Sequence, residues 1–298
     1  MEKKIIAVDI GGTTVKGAVF SKNKIQKKVV KNTSRVDPLN TTIKIIEQLM
    51  ENDKEISAIG IATAGRVNST TGEILYATPN LENWMGRNIK QELETLFGIP
   101  TYVINDAKAA TLAEAFTRKV RSLVFLTIGT GLGGGVFIDG KLVNGTLWEA
   151  GEIGHTILYP NGRKCNCGKR GCAEQYISMK VLHRYAKIPL AERNQLLAGF
   201  INNEEKVLAA VEKLCGNLAM LIDKIFLIID PEIVVVGGGF SELGEMALHI
   251  LRNKLIEYSS KSLYHPTQVE LSIFQNDAGL IGASLFAATQ YEEVVYHG

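Results

Sequence analysis

The sequence lacks the marks of several protein classes. It has no apolar run of about 18 residues, so no membrane-spanning helix is expected and no membrane partner. The opening "MEKKIIAVDIGG" holds too short an apolar stretch for a secretory signal. Charge of one sign is also missing. Lys and Arg total 33 and Asp and Glu 31, a net charge of +2. That is too near neutral to imply a polyanion, so no nucleic-acid partner is expected. Cysteine is scarce, at four residues, and three of them fall between positions 165 and 172. Such clustering does not resemble a secreted disulfide framework, and a reducing cytoplasm is the expected compartment. The fourth, Cys215, lies in an apolar helical pattern and reads as a buried small hydrophobe. No low-complexity or Pro-rich tract divides the chain.

What is present is globular. The hydrophobic fraction is 46% and the charged fraction 21% over 298 residues. That length suggests two domains. "KKIIAVDI" reads as a strand ending in the glycine turn "GGTT", and "VKGAVF" as the next strand. A helix is expected near 39–52, a strand at "ISAIGIAT", a helix over roughly 87–98 and a strand at "PTYVIN". "DAKAATLAEAF" is helical, with Asn105 placed to cap it. From about residue 122 the opening pattern returns. "SLVFLTIGTGLGGGVFIDGKLVNG" is again an apolar strand, a glycine turn with hydroxyls and a hairpin. Helices follow the cysteine segment, the longest over about 204–229. "EIVVVGGG" and "QVELSIF" read as strands and "AGLIGASLFAATQ" as the last helix, with Asp277 as its cap. The pattern predicts an α/β fold with much parallel sheet and two related lobes. The expected boundaries are 1–117 for the first lobe, with 278–298 packing back on it, and 118–277 for the second. Lys22, Lys24, Lys27, Lys28 and Lys31 read as the solvated face of a hairpin.

Three glycine turns follow apolar strands: Gly11, Gly12 and Thr13 in "DIGGTT", Thr130 and Gly131 in "TIGTGLGGG", and Gly237 and Gly238 in "VVVGGGF". Glycine lets backbone N–H groups crowd toward an anion, so together the turns point to phosphate binding. None has the Lys-Ser/Thr ending of a P-loop. Asp9, beside the first turn, could hold Mg²⁺ through water. Asp106 follows a strand and opens a helix. It reads either as a first-turn aspartate without chemistry or as a general base taking a proton from a substrate hydroxyl.

His155, Cys165, Cys167 and Cys172 follow the spacing H-x9-C-x-C-x4-C. Three thiolates and an imidazole can close a tetrahedral zinc shell, which makes such a site structural. The pattern lacks the paired ligands and base-reading helix of a nucleic-acid finger. Glu152 and Glu174 flank the ligands. They read either as solvated loop charge or as rigid carboxylates for sugar hydroxyls. In "ATPNLENW", Asn80 is a softer substrate candidate, and Trp84 reads as packed.

In order along nearly the whole chain, "DIGGTTVKGAVF", "INDAKAA", "LTIGTGLGGGVF", "GEIGH", "CNCGKRGCAE", "IVVVGGG" and "DAGLIGAS" resemble the ROK family of sugar kinases, repressors and related open reading frames. The resemblance implies a two-lobed, actin-like and ribonuclease-H-like fold. It implies an ATP- and Mg²⁺-dependent kinase that phosphorylates a hexose, usually at the 6-hydroxyl, with zinc in a structural role. It makes Asp106 the catalytic base and Asn105, Glu152, His155 and Glu174 the holders of sugar hydroxyls, with Ala64 and Gly65 approaching the sugar. His155 would turn one ring nitrogen to zinc and the other to the sugar. Gly12, Thr13, Thr130, Gly131 and Gly238 would lie near the nucleotide. A homodimer or homotetramer is implied in the same way. Glucose and N-acetylmannosamine are the leading substrates. A non-catalytic sugar sensor or a transcriptional regulator is the alternative. The regulators carry a helix-turn-helix domain ahead of the first glycine turn, and here that turn begins soon after Met1. Three positions depart from the common pattern: Lys108 where many members have Asn, Ala64 where many have Pro, and Asn166 where Gly is frequent.

Overall fold

The computed structural model describes residues 3–22, 24–34, 36–51, 53, 55–77, 81–258 and 268–297. The chain divides into two compact units. One comprises Met1–Thr117, Asn144–Glu149 and Asn276–Gly298, the other Arg118–Val143 and Ala150–Gln275.

The first unit is built on a five-stranded sheet of order β3-β2-β1-β4-β7. Its strands are β1 (Lys4–Ile10), β2 (Thr14–Ser21), β3 (Lys24–Asn32), β4 (Ile56–Thr63) and β7 (Thr101–Asn105). β1, β2 and β3 form an antiparallel meander, while β1, β4 and β7 run parallel. The expected parallel sheet is therefore a mixed one. Apolar runs such as "KIIAVDI" are covered on both faces, so Ile6, Val8, Ile59, Ile61 and Val103 are fully buried. Helix α1 (Pro38–Met50) starts at Asp37, whose carboxylate accepts from the Asn40 N–H at 3.1 Å, with Pro38 in the first turn. Helix α2 (Ile89–Phe97) is one or two residues shorter at each end than its sequence pattern. Asn88 caps its start, and Gly98 ends it in the left-handed region at φ 65°. Helix α3 (Asp106–Arg118) follows β7 directly, and α8 (Ala278–His297) packs Ala287 with Ile5, Ala58 and Tyr102. A small hairpin, β5 (Arg66–Asn68) with β6 (Glu73–Tyr76), also belongs here.

The second unit repeats the order: β10-β9-β8-β11-β12. Here β8 (Leu123–Ile128), β9 (Leu132–Ile138) and β10 (Lys141–Leu142) form the meander, and β8, β11 (Ile233–Gly238) and β12 (Val269–Leu271) run parallel. Helices α4 (Met179–Ala186), α5 (Arg193–Ile201), α6 (Glu205–Ile229) and α7 (Gly244–Tyr258) complete it. Val124, Leu126, Leu214, Leu218, Ile222, Val234 and Leu251 lie in one core. Cys215 is buried there with its thiol on the Ala247 carbonyl at 3.8 Å, the small hydrophobe its pattern suggested. No described helix is long and apolar enough to cross a membrane.

Candidate active site

Parallel strands that end together bring their following loops together, which is where open α/β sheets bind ligands. In the first unit Ile10 pairs with Thr63, and Thr63 with Asn105. The segments after β1, β4 and β7 therefore leave one sheet edge side by side. They carry Gly11, Gly12 and Thr13, then Ala64 and Gly65, then Asp106. Ala64 and Gly65 are half-buried, and the Thr63 hydroxyl between them and the core accepts the indole N–H of the fully buried Trp84 at 3.0 Å. Trp84 is thus a packed residue, as its setting suggested. Asn80 lies outside the described residues.

Asp106 is half-buried at the first position of α3. Its Oδ1 accepts the Ala107 N–H at 2.8 Å and the Asn105 Nδ2 at 3.0 Å. Two donors on one oxygen orient the carboxylate. Asn105 does cap α3, accepting the Lys108 N–H at 3.0 Å, and its amide also donates to the Gly65 carbonyl at 2.9 Å. Both amide hydrogens are thus engaged, so for a ligand Asn105 offers chiefly the second lone pair of Oδ1.

Asp9, at the end of β1, lies against the first turn of α8. A Cβ on Gly279 would stand 3.1 Å from its carboxylate atoms. Burial pushes the Asp9 carboxyl up to about 6, Lys16 pulls it down and Asp277 pushes it up. Lys16 pairs with Asp9 across β1 and β2, and approaches Asp277 at 4.0 Å. Lys28 closes on Asp277 at 2.6 Å. Part of the lysine-rich hairpin is therefore an ion-pair partner of the Asp277 turn. Asp277 was expected as a helix cap, and its ion pairs are a role the local sequence did not suggest. The first glycine turn is held by the Gly11 N–H on the Thr14 carbonyl at 3.0 Å, and by the Thr33 hydroxyl on the Gly11 carbonyl at 2.6 Å.

In the second unit Ile128 pairs with Gly238, so the turn after β8 and the end of β11 lie together. This brings Thr130 and Gly131 near Gly237 and Gly238. The last has φ 72°, and a Cβ there would meet the Ile128 carbonyl at 2.7 Å. The Glu174 carboxylate sits over this turn. Its Oε2 accepts the Leu132 N–H at 3.2 Å and would lie 2.4 Å from a Cβ on Gly131. The Glu174 carboxylate and the second glycine turn are thus in contact.

The sulfur and nitrogen ligands converge as their spacing suggested. The donor atoms of His155, Cys165, Cys167 and Cys172 all lie within 4.8 Å of one another. Cys165 Sγ and His155 Nδ1 are 3.7 Å apart, and the sulfurs of Cys167 and Cys172 3.5 Å. A tetrahedral zinc with bonds of about 2.3 Å to sulfur separates its ligands by roughly 3.8 Å, so the set fits zinc. Burial, then the hydrogen bonds its S–H donates to Cys167 and Cys165, push the Cys172 thiol up to about 12. Burial raises Cys167 too, but hydrogen bonds from the Lys169 backbone, Cys165 and Cys172 outweigh it and leave that thiol below its ordinary value. Since Nδ1 faces the sulfurs, Nε2 is the nitrogen turned elsewhere. Two short 3-10 turns couple ligands to carboxylates. Exposed Glu152 directly precedes the turn Ile153–His155, and Cys172 directly precedes the turn Ala173–Gln175 that holds Glu174. Behind the loop, the Tyr159 hydroxyl donates to Asn217 of α6 at 2.7 Å, and Arg163 lies over the rings of Tyr176 and Tyr185.

The ROK family profile matches residues 5–290. The chain belongs to the ROK family. A glucokinase from Thermotoga maritima is 31% identical over 305 residues, covering 94% of this chain and 96% of that protein. An N-acetylmannosamine kinase from Salmonella newport is 33% identical over 294 residues, covering 95% and 97%. The crystal structure of a ROK family glucokinase from Streptomyces griseus in complex with glucose and AMPPNP has a TM-score of 0.83 and 27% identity, covering 96% of this chain and 99% of that one. A ROK hexokinase from Thermus thermophilus gives a TM-score of 0.83 at 27% identity, covering 97% and 99%. The fold is the α/β, two-lobed, actin-like fold of ROK sugar kinases, and the Cys₃His cluster is consistent with a structural zinc site.

Proposed function

We propose that this ROK protein is an ATP-dependent sugar kinase that transfers the γ-phosphoryl group to a hexose hydroxyl, with Asp106 as general base. Glucose and N-acetylmannosamine are the leading substrates, and the 6-hydroxyl is the leading acceptor. The observation that carries the reading is the Asn105–Asp106 step. A carboxylate stands at a strand's carboxyl end, opens a helix and is aimed by two donors on Oδ1. The names of the glucokinase and N-acetylmannosamine kinase relatives support the substrate class.

Phosphoryl transfer asks a protein mainly for positioning and charge stabilisation. Asp106 accepts the hydroxyl proton as the sugar oxygen attacks phosphorus, a contribution of roughly 10²–10⁴-fold. The first unit offers phosphates the turn of Gly12 and Thr13, which Gly11 closes on the Thr14 carbonyl, and the second unit offers the turns of Thr130 and Gly131 and of Gly237 and Gly238. Asp9 is the carboxylate that would hold Mg²⁺ through water, and Mg²⁺ when bound neutralises phosphate charge. Glu152, His155 Nε2 and Glu174 are the sugar-hydroxyl candidates of the second unit, and Ala64 and Gly65 those of the first. The zinc ligands keep both carboxylate-bearing turns in place.

The test is ADP release with ATP, Mg²⁺ and a panel of glucose, mannose, fructose, N-acetylglucosamine and N-acetylmannosamine, alongside the Asp106→Asn variant. One preferred sugar, with turnover in the variant down at least about 100-fold and sugar binding by calorimetry retained, is the expected result. No turnover with any sugar from folded, zinc-loaded protein overturns it in favour of a sugar sensor. Retained turnover in the variant removes Asp106 from the base role.

A further inference from the structure

Lys108 lies in the first turn of α3 and is only 4% exposed. A buried ammonium is costly unless its donors find acceptors. Here Nζ reaches the Asn144 carbonyl at 3.3 Å, the Asn144 side-chain oxygen at 3.3 Å and the Trp148 carbonyl at 3.2 Å. All three belong to the segment Asn144–Glu149, which is part of the first unit although the residues on either side of it in sequence are not. Within this strap Trp148 has φ 62°, a left-handed backbone that costs a non-glycine residue on the order of 1 kcal/mol or more. Lys108 accordingly binds the carbonyl of the strap's one strained non-glycine residue.

The far end of the strap is fastened as well. Exposed Glu149 pairs with Arg66 Nη1, and that pairing leaves the buried Arg66 Nε without an acceptor. Arg66 follows Gly65, whose carbonyl takes the Asn105 amide, and Asn105 accepts the backbone N–H of Lys108. The links close a circuit: Lys108, Trp148, Glu149, Arg66, Gly65, Asn105 and back to Lys108. Asp106 stands inside it, bonded to Asn105.

We infer that Lys108 is a positioning residue, which through the 144–149 strap and Arg66 holds the Gly65 carbonyl and the Asn105 side chain in register beside Asp106. The inference rests on the kinase reading for its catalytic consequence, and on the hydrogen-bond circuit alone for its structural one. Loss of Lys108 should loosen sugar placement and leave the nucleotide turns untouched.

The experiment compares Lys108→Met, Lys108→Arg and Glu149→Ala with the full-length parent. It reads KM for the preferred sugar, KM for ATP, and amide hydrogen exchange across 144–150. Lys108→Met should raise the sugar KM about 10-fold or more, keep the ATP KM within about twofold and speed exchange in the strap. Lys108→Arg, which keeps charge and donors, should recover part of the loss. Glu149→Ala removes an exposed group and should fold, with a smaller rise of about threefold in sugar KM. An unchanged sugar KM in all three overturns the proposal, as does an ATP KM that rises in proportion. So does faster strap exchange without any change in sugar KM. If Lys108→Met does not fold, Glu149→Ala and Lys108→Arg decide by the same criteria. If the parent has no turnover with any sugar, the kinase reading fails by itself. The exchange arm then judges the circuit, with unchanged strap exchange in the variants overturning it.

Discussion

Asp9→Asn should make the ligand-free protein more stable at neutral pH while impairing catalysis. The folded protein pushes the Asp9 carboxyl up to about 6 because burial disfavours its charged form more than Lys16 favours it. A model carboxyl stands at 3.8. Each unit of pKa is worth about 1.4 kcal/mol, so the difference amounts to about 3 kcal/mol at most. The sign follows from linkage. A raised folded pKa means the folded state holds the proton more tightly. The contribution of Asp9 to stability is therefore fully present below about pH 4 and is lost as pH rises through about 6. Asparagine has no charge to desolvate, and its amide can face Lys16 or the first turn of α8. The stability gap between variant and parent should thus be small at pH 4 and widen by about 2–3 kcal/mol by pH 7.5. At roughly 2–4 °C per kcal/mol for a unit of this size, that is several degrees in the melting temperature. Thermal melts of both proteins at pH 4, 5, 6 and 7.5, without nucleotide or Mg²⁺, read it directly, because the other carboxylates cancel in the difference. A gap that does not grow with pH would show that Lys16 and the α8 N-terminus outweigh burial. A variant less stable than the parent at pH 7.5 would refute the reasoning outright. ADP release should fall sharply in the same variant, since the group that destabilises the empty protein is the one assigned to Mg²⁺.

Two further outcomes bear on the second unit. Cys167→Ser should lose zinc, read by mass spectrometry of native protein, and raise the sugar KM. The fold should survive with a lowered melting temperature, because Tyr159 on Asn217 and Arg163 on Tyr176 anchor the loop without the metal. Gly131→Ala should displace the Glu174 carboxylate, which a new Cβ would otherwise meet at 2.4 Å. A flexible side chain can swing away, so the stability loss should stay near 1 kcal/mol, with the larger effect on sugar KM; an unchanged KM would separate Glu174 from the sugar.

The repeated lobe was legible because its signals are local. An apolar strand, a glycine turn with hydroxyls and a hairpin occur twice, and each instance folds into the same five-stranded order. Helix ends were legible to within a couple of residues wherever a cap marks them, as with Asn105 on α3 and Asn88 and Gly98 on α2. The expected strand "QVELSIF" is only Val269–Leu271, because β12 is an edge strand that pairs with Val234–Val236 and no further. Between β11 and α7 the chain makes a 3-10 turn, Gly239–Leu243. The β5–β6 hairpin went unread although its turn chemistry was there. Asn68 accepts from the N–H groups of Thr70 and Thr71, and Gly72 follows at φ 77°.

The site divides along the same line. The metal ligands could be found from spacing because a zinc loop is a short-range object: His155 and Cys172 are joined by a few bridging hydrogen bonds, such as Leu158 N–H to Gly171 at 2.8 Å. The Lys108 circuit could not, because its long links join positions 36 to 83 apart, and no local pattern distinguishes a lysine aimed at solvent from one aimed at carbonyls. On an alanine-rich helix Lys108 would pass for an exposed charge. What betrays it is burial together with three bonds into one short segment, which only the folded chain brings to it. Burying an ammonium carries a desolvation cost, and three of the bonds that offset it go to the strap. The strap's own strain at Trp148 points the same way. An unfavourable backbone and an unfavourable burial meet at one hydrogen bond, and that coincidence is more readily explained by selection for position than by selection for stability.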